Sequence, residues 1–155
     1  MIKVGAKDLI IEFRFRLGAA KTFNAVCNDR DFKEGHGGHL LRVSVSPRQL
    51  FLADDKERLS KEIEAMLKDP ARKDEAAKRV AGRSVSVPAT IDPQRWHQLS
   101  IEVMNDEMRV SLDGKAVGHL KSPGLAHPMK SDFYLAVTGE GALFDEVNIW
   151  EAAKP

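Results

Sequence analysis

One cysteine, Cys27, stands alone in 155 residues, which excludes an internal disulfide and a thiolate zinc cluster. Long apolar runs are missing too, and nothing approaches the twenty or so residues of a membrane-spanning helix. The amino terminus, MIKVGAKDLIIEF, lacks a long apolar core followed by a small-residue cleavage site, so no signal peptide is visible. Charge of one sign is scarce: 24 Lys and Arg oppose 23 Asp and Glu, a formal net charge of +1. A polyanion such as nucleic acid therefore finds little electrostatic grip. There is no G-x-S-x-G nucleophile elbow, no glycine loop that cradles phosphate, no internal repeat and no low-complexity tract. These absences leave a single domain spanning 1–155, long enough to bury an ordinary core.

What is present is mostly period two. In DLIIEFRFRL, residues 8–17, Leu9, Ile11, Phe13, Phe15 and Leu17 share one face, while Glu12, Arg14 and Arg16 share the other. A helix would scatter those arginines around its circumference. Gly18-Ala19-Ala20 ends this strand, and Thr22–Asn28 supplies a shorter one. DRDFKEGHGG, residues 29–38, is polar and glycine-rich and reads as a loop. His39–Ser46 alternates again, with Leu41, Val43 and Val45 inward and Leu40, Arg42 and Ser44 reversed. Pro47-Arg48 then turns the chain into a return strand, Gln49–Ala53.

The pattern breaks over Asp54–Arg83. Leu59, Ile63, Met66 and Leu67 recur at helical spacing, Asp54 or Asp55 can cap the start, and Pro70 follows the end. Ala71–Ala81 predicts a second helix with a small apolar face of Ala76, Ala77, Val80 and Ala81. The expectation is a two-helix insertion over residues 55–82, packed on a β-core or presented to a protein partner.

Strand patterning resumes at Ser84–Ile91, where Pro88 marks an edge or a bulge. It continues through Trp96–Met104, Glu107–Leu112, Ala116–Lys121, Ser131–Thr138 and Ala142–Trp150. Asn105-Asp106 and Asp113-Gly114 occupy hairpin-turn positions. Nine or ten short strands with one helical excursion predict an all-β fold, an antiparallel β-sandwich.

The carboxy-terminal block carries a resemblance. Trp96-His97-Gln98-Leu99-Ser100-Ile101, then Leu112-Asp113-Gly114-Lys115, then Phe144-Asp145-Glu146-Val147, resembles the concanavalin A-like lectin/glucanase superfamily. More narrowly, with Gly38–Pro47 and Asp54-Asp55-Lys56, it resembles the 3-keto-disaccharide hydrolase group. The resemblance implies a jelly-roll sandwich, a carbohydrate ligand, and export to the periplasm or the cell exterior. The E-x-D-x-x-E signature of laminarinase-type glucanases is absent. Residues 142–150 offer only Asp145-Glu146, whose side chains point to opposite faces, which disfavours a retaining glucanase.

Three roles stay open: a carbohydrate-recognition or interaction module, a keto-disaccharide-type glycoside hydrolase, and a structural domain that binds protein through the helices. The module is the preferred reading. For the enzyme, the candidate catalytic residues are His39, Arg42 and Asp54. For binding, Arg14, Arg16, His39, Arg42 and Asp54 supply guanidinium and polar groups for sugar hydroxyls or a carboxylate, provided the two strands share one surface. His36 and His39 are candidate metal ligands, with glycine-shaped loop geometry as the alternative. No cofactor is expected, and a calcium ion at a loop has no supporting ligand pattern.

Overall fold

The structure is a computed structural model that describes residues 1–152. Among the described residues the alternating segments form eleven strands in two antiparallel sheets. The six-stranded sheet runs β1 (Ile2–Ala6), β10 (Lys130–Thr138), β3 (Thr22–Asn28), β4 (His39–Ser46), β5 (Gln49–Asp54) and β6 (Ser84–Pro88). The five-stranded sheet runs β11 (Leu143–Glu151), β2 (Leu9–Arg16), β7 (His97–Met104), β8 (Glu107–Leu112) and β9 (Lys115–Lys121). Among the described residues β6 pairs with β5 alone, so Pro88, which has no N–H to donate, stands on an edge strand as its chemistry requires.

The core lies between the sheets. β2 contributes Leu9, Ile11, Phe13 and Phe15 from one side, and β3 and β4 contribute Phe23, Ala25, Cys27, Leu41, Val43 and Val45 from the other. Phe13 touches the rings of Phe15, Phe23, Phe133 and Phe144, which ties both sheets to one aromatic centre. Truncating such a ring to Ala costs about 3–5 kcal/mol. Gly18 lets the chain leave β2 for the opposite sheet. Its φ of +61° is left-handed, and a Cβ there would lie 2.5 Å from the Gly141 carbonyl oxygen.

The fold holds two features that the sequence pattern does not resolve. β1 is a strand of its own and pairs with β10 in the six-stranded sheet, whereas β2 belongs to the other sheet. The helical insertion contains three helices rather than two: α1 (Asp55–Arg58), α2 (Lys61–Leu67) and α3 (Lys73–Val80). The break at Leu59-Ser60 has a physical cause. There the backbone turns outward to pair with the loop of residues 29–38, through His36 N–H to the Leu59 carbonyl at 3.1 Å and Lys61 N–H to the Glu34 carbonyl at 3.0 Å. Ser60 restarts the helix by accepting from Ile63 N–H. α2 and α3 share a small core of Ile63, Met66 and Ala76, with Val80 beside it, while Leu67 stays exposed. None of the described helices is long and apolar enough to cross a membrane.

Candidate binding cleft

The outer face of the six-stranded sheet is set by strand register. With Ala25, Cys27, Leu41, Val43, Leu50, Leu52 and Phe133 turned into the core, their neighbours face outward. One cross-strand row holds Tyr134, Val26, Arg42, Ala53 and Ser84, and the next holds Ala136, Asn24, Ser44, Phe51 and Ser86.

Strict alternation would send His39 inward with Leu41. A bulge prevents this: Cys27 pairs with Leu41 and Asn28 with His39, so β4 spends two residues where β3 spends one. The extra residue, Leu40, re-aims His39 to the outer face beside Arg42. There His39 Nδ1 meets Asn28 Oδ1 at 2.8 Å. Gly37 and Gly38, with φ of +60° and +72°, curl the preceding loop so that the His36 and His39 rings come within 5.7 Å of each other. Among the described residues, no third His, Cys, Asp or Glu joins them in a metal-sized group.

The two aspartates that follow β5 divide their labour. Asp54 is fully buried and turned away from this face. It accepts from Glu57 N–H at 3.1 Å, Gly124 N–H at 2.8 Å and the Ser122 hydroxyl, capping α1 and clamping the 3-10 turn Pro123–Ala126. Burial raises its pKa above the usual carboxylate range, against the lowering effect of those three donors. Asp54 is thus a structural anchor, and the expected grouping of Asp54 with His39 and Arg42 is not formed. Asp55 is the carboxylate that reaches the cleft. Its Oδ1 accepts from Arg58 Nη1 at 2.8 Å, and its Oδ2 lies 3.1 Å from Arg42 Nε. The Arg42 contact is one of charge proximity, because the Nε–H is not aligned for a hydrogen bond. Both guanidinium groups lie over the Phe51 ring, 5.5 Å away for Arg42 and 5.2 Å for Arg58.

These side chains border a cleft of about 200 Å³ lined by Asn24, Val26, His39, Arg42, Asp55 and Tyr134, with His36 and Leu59 at one end. Beyond His36 and Leu59 lies a second hollow of about 290 Å³, bounded by Arg58, Glu64 and Leu67. Burial lowers the pKa of His39, opposed by Asp55, so the ring is neutral at pH 7. With Nδ1–H donating to Asn28, Nε2 remains an acceptor. Burial raises the pKa of Tyr134, which keeps its phenol protonated. The cleft thus presents hydrogen-bonding groups and one aromatic face at a scale below the ~300–1,000 Å³ of a drug-sized site, suited to a single ring.

Arg14 and Arg16 do not join this surface. They lie on β2, on the outer face of the other sheet. The guanidinium of Arg14 sits 5.3 Å from the Trp96 ring, opposite Asp145 on β11. Arg16 donates to Gln94 Oε1 at 2.8 Å. A sandwich places the reverse faces of its two sheets on opposite sides of the molecule, so similar alternation on β2 and β4 does not mean a shared site. His97 is a packed residue. Its Nδ1 meets Asp113 Oδ2 at 2.7 Å, its Nε2 meets the Asp92 carbonyl at 2.9 Å, and its ring stacks on Phe15.

Asn24 and Tyr134, which complete the cleft, and Asn28, which holds His39, were not among the sequence candidates, whereas the sequence allows Asp55 to complete a groove or cap the helix. The alternation of β3 contains a signal for the two asparagines, since Asn24 and Asn28 share the parity opposite Ala25 and Cys27. Tyr134 becomes visible only once β10 is known to pair with β3.

No family model matches the chain, and no curated protein matches it in sequence. Solved structures do resemble it. Sheep galectin-11 in complex with glycerol superposes with a TM-score of 0.60 at 13% identity, covering 96% of this chain and 95% of that one. The carbohydrate-binding module CBM66 from Bacillus subtilis gives a TM-score of 0.56 at 14% identity, covering 94% and 76%. Lactose- and MES-liganded congerin II gives 0.56 at 8% identity, covering 96% and 100%. At such identities the likeness concerns architecture, and it is consistent across the whole chain. The protein has the concanavalin A-like β-sandwich fold of the galectins and of this carbohydrate-binding module.

Proposed function

We propose that the protein is a carbohydrate-recognition module that binds a sugar in the cleft over β10, β3 and β4. The observation that carries this reading is the convergence of Arg42, neutral His39, Asn24 and the Tyr134 ring on one small hollow. Sugars present hydroxyls around an apolar ring face, and that combination asks for paired polar groups beside an aromatic. Two architectural neighbours add support, one a carbohydrate-binding module and one holding lactose. The second hollow, walled by Leu59 and Leu67, extends the cleft along the helical insertion and suits the next residue of an oligosaccharide. In this reading the insertion builds the wall of the site.

Cleavage of a 3-keto-disaccharide is the less supported alternative. It called for His39, Arg42 and Asp54 around one substrate, and Asp54 is consumed as a buried clamp. Asp55 has both oxygens engaged by guanidinium groups, which makes it a positioning group for Arg42 and Arg58.

The test is a glycan array followed by calorimetric titration of wild type, Arg42→Ala and Tyr134→Ala, with circular dichroism to verify folding. Wild type should bind a defined subset of saccharides, and each variant should lose at least about tenfold in affinity, the loss of roughly one good contact. A folded wild type that binds no glycan, or affinity untouched by both substitutions, overturns the proposal.

A further inference from the structure

The cleft has consumed most of its own acceptors. Asp55 gives one oxygen to Arg58 and the other faces Arg42. Asn24 Oδ1 accepts from the Ser44 hydroxyl, and Asn28 Oδ1 accepts from His39. What is left toward a ligand is chiefly donors. The terminal Nη groups of Arg42 make no hydrogen bond among the described residues, although the side chain is only partly exposed. Asn24 retains its Nδ2, and the Tyr134 hydroxyl stands beside Asn28 and can donate. His39 Nε2 is the remaining acceptor. The first hollow is lined by one guanidinium, Arg42, and one carboxylate, Asp55, and the second by Arg58 and Glu64; Asp55 is almost fully buried against the two arginines. Glu64, which borders the second hollow, faces Lys68 at 3.5 Å.

A neutral sugar offers donors and acceptors in nearly equal number, and a site matched to it would hold exposed acceptors. A hollow whose carboxylate is buried and whose guanidinium keeps its terminal donors matches a ligand rich in acceptors. A guanidinium whose Nε side is turned to a buried carboxylate presents its other edge, the geometry that meets a carboxylate in a fork. Building on the carbohydrate reading above, we propose that the cleft is selective for an acidic sugar, a hexuronate whose carboxylate is clamped by Arg42.

The experiment uses matched disaccharide pairs that differ only in a terminal hexose or hexuronate, titrated into the full chain at 20 mM and 300 mM salt. The hexuronate member should bind at least about tenfold tighter at low salt, and its advantage should shrink at high salt as the exposed part of the interaction is screened. Arg42→Gln should erase the preference. Arg42→Lys keeps the charge without the fork and should retain a reduced, still salt-sensitive preference; it also gives a readout if the glutamine variant fails to fold. Neutral members binding as well as or better than their acidic partners would overturn this inference and leave carbohydrate recognition standing. Binding of neither class would overturn both.

Discussion

Asp54 separates a catalytic from a structural role, because the structure assigns it wholly to the second. Removing its side chain in Asp54→Ala deletes the cap of α1, about 1 kcal/mol. It also deletes two hydrogen bonds to a charged group, from Ser122 and Gly124, at about 1.5 kcal/mol each or more. Burial works against the carboxylate, as its raised pKa records, so relieving that desolvation returns part of the loss. The net expectation is about 3 kcal/mol, a large share of the ~5–15 kcal/mol that holds a typical domain together. For a chain of 155 residues this lowers the melting temperature by about 6–12 °C. Asp54→Asn should fall between wild type and Ala, because the amide keeps one acceptor but sets an N–H₂ against the Gly124 N–H. Urea and thermal unfolding of the three proteins measure this directly. A loss below ~1 kcal/mol for Asp54→Ala, or weakened saccharide binding with unchanged unfolding, would refute the anchor and return Asp54 to the site.

Lys130 is fully buried, and burial lowers its pKa from 10.5 to about 8; its ammonium donates to the carbonyls of Lys7 and His127. Between pH 8 and 10.5 the unfolded chain holds the proton more firmly than the folded one, so this group adds stability as pH rises, by at most about 3 kcal/mol. Wild type should therefore gain in urea midpoint relative to Lys130→Met between pH 7.5 and 9.5, and parallel profiles would contradict the assignment. Gly38→Ala forces a side chain onto a φ of +72° with its Cβ 2.4 Å from the Asp29 carbonyl oxygen. It should cost about 1–3 kcal/mol and weaken saccharide binding by displacing His36 and His39, as unfolding and titration on the same variant would record.

Much of the fold was legible because burial on one face of a strand writes itself as period two. The core residues Leu9, Ile11, Phe13 and Phe15, the turn at Asp113-Gly114 with both residues at positive φ, and the edge strand ending in Pro88 all follow from local rules. The site was less legible. Arg42 and His39 do line the cleft, but His39 arrives there through a bulge that no alternation rule anticipates. Asp54 and Asp55 are chemically identical neighbours, and only the helix start after β5 decides which one turns inward. The helix break at Leu59-Ser60 depends on pairing with a loop more than twenty positions earlier.

The sequence by itself determined the class of architecture, the inward faces of most strands, the loop at residues 29–38 and the place of the helical insertion. These depend on spacing along the chain, and spacing is local. Tertiary structure alone decided which strands are neighbours and on which side of the sandwich each polar face lies. It parted Arg14 and Arg16 from Arg42 and joined Tyr134 and Asn24 to it. The reason is that strand order comes from packing of the whole core, and a side chain's surroundings are inherited from partners distant in sequence.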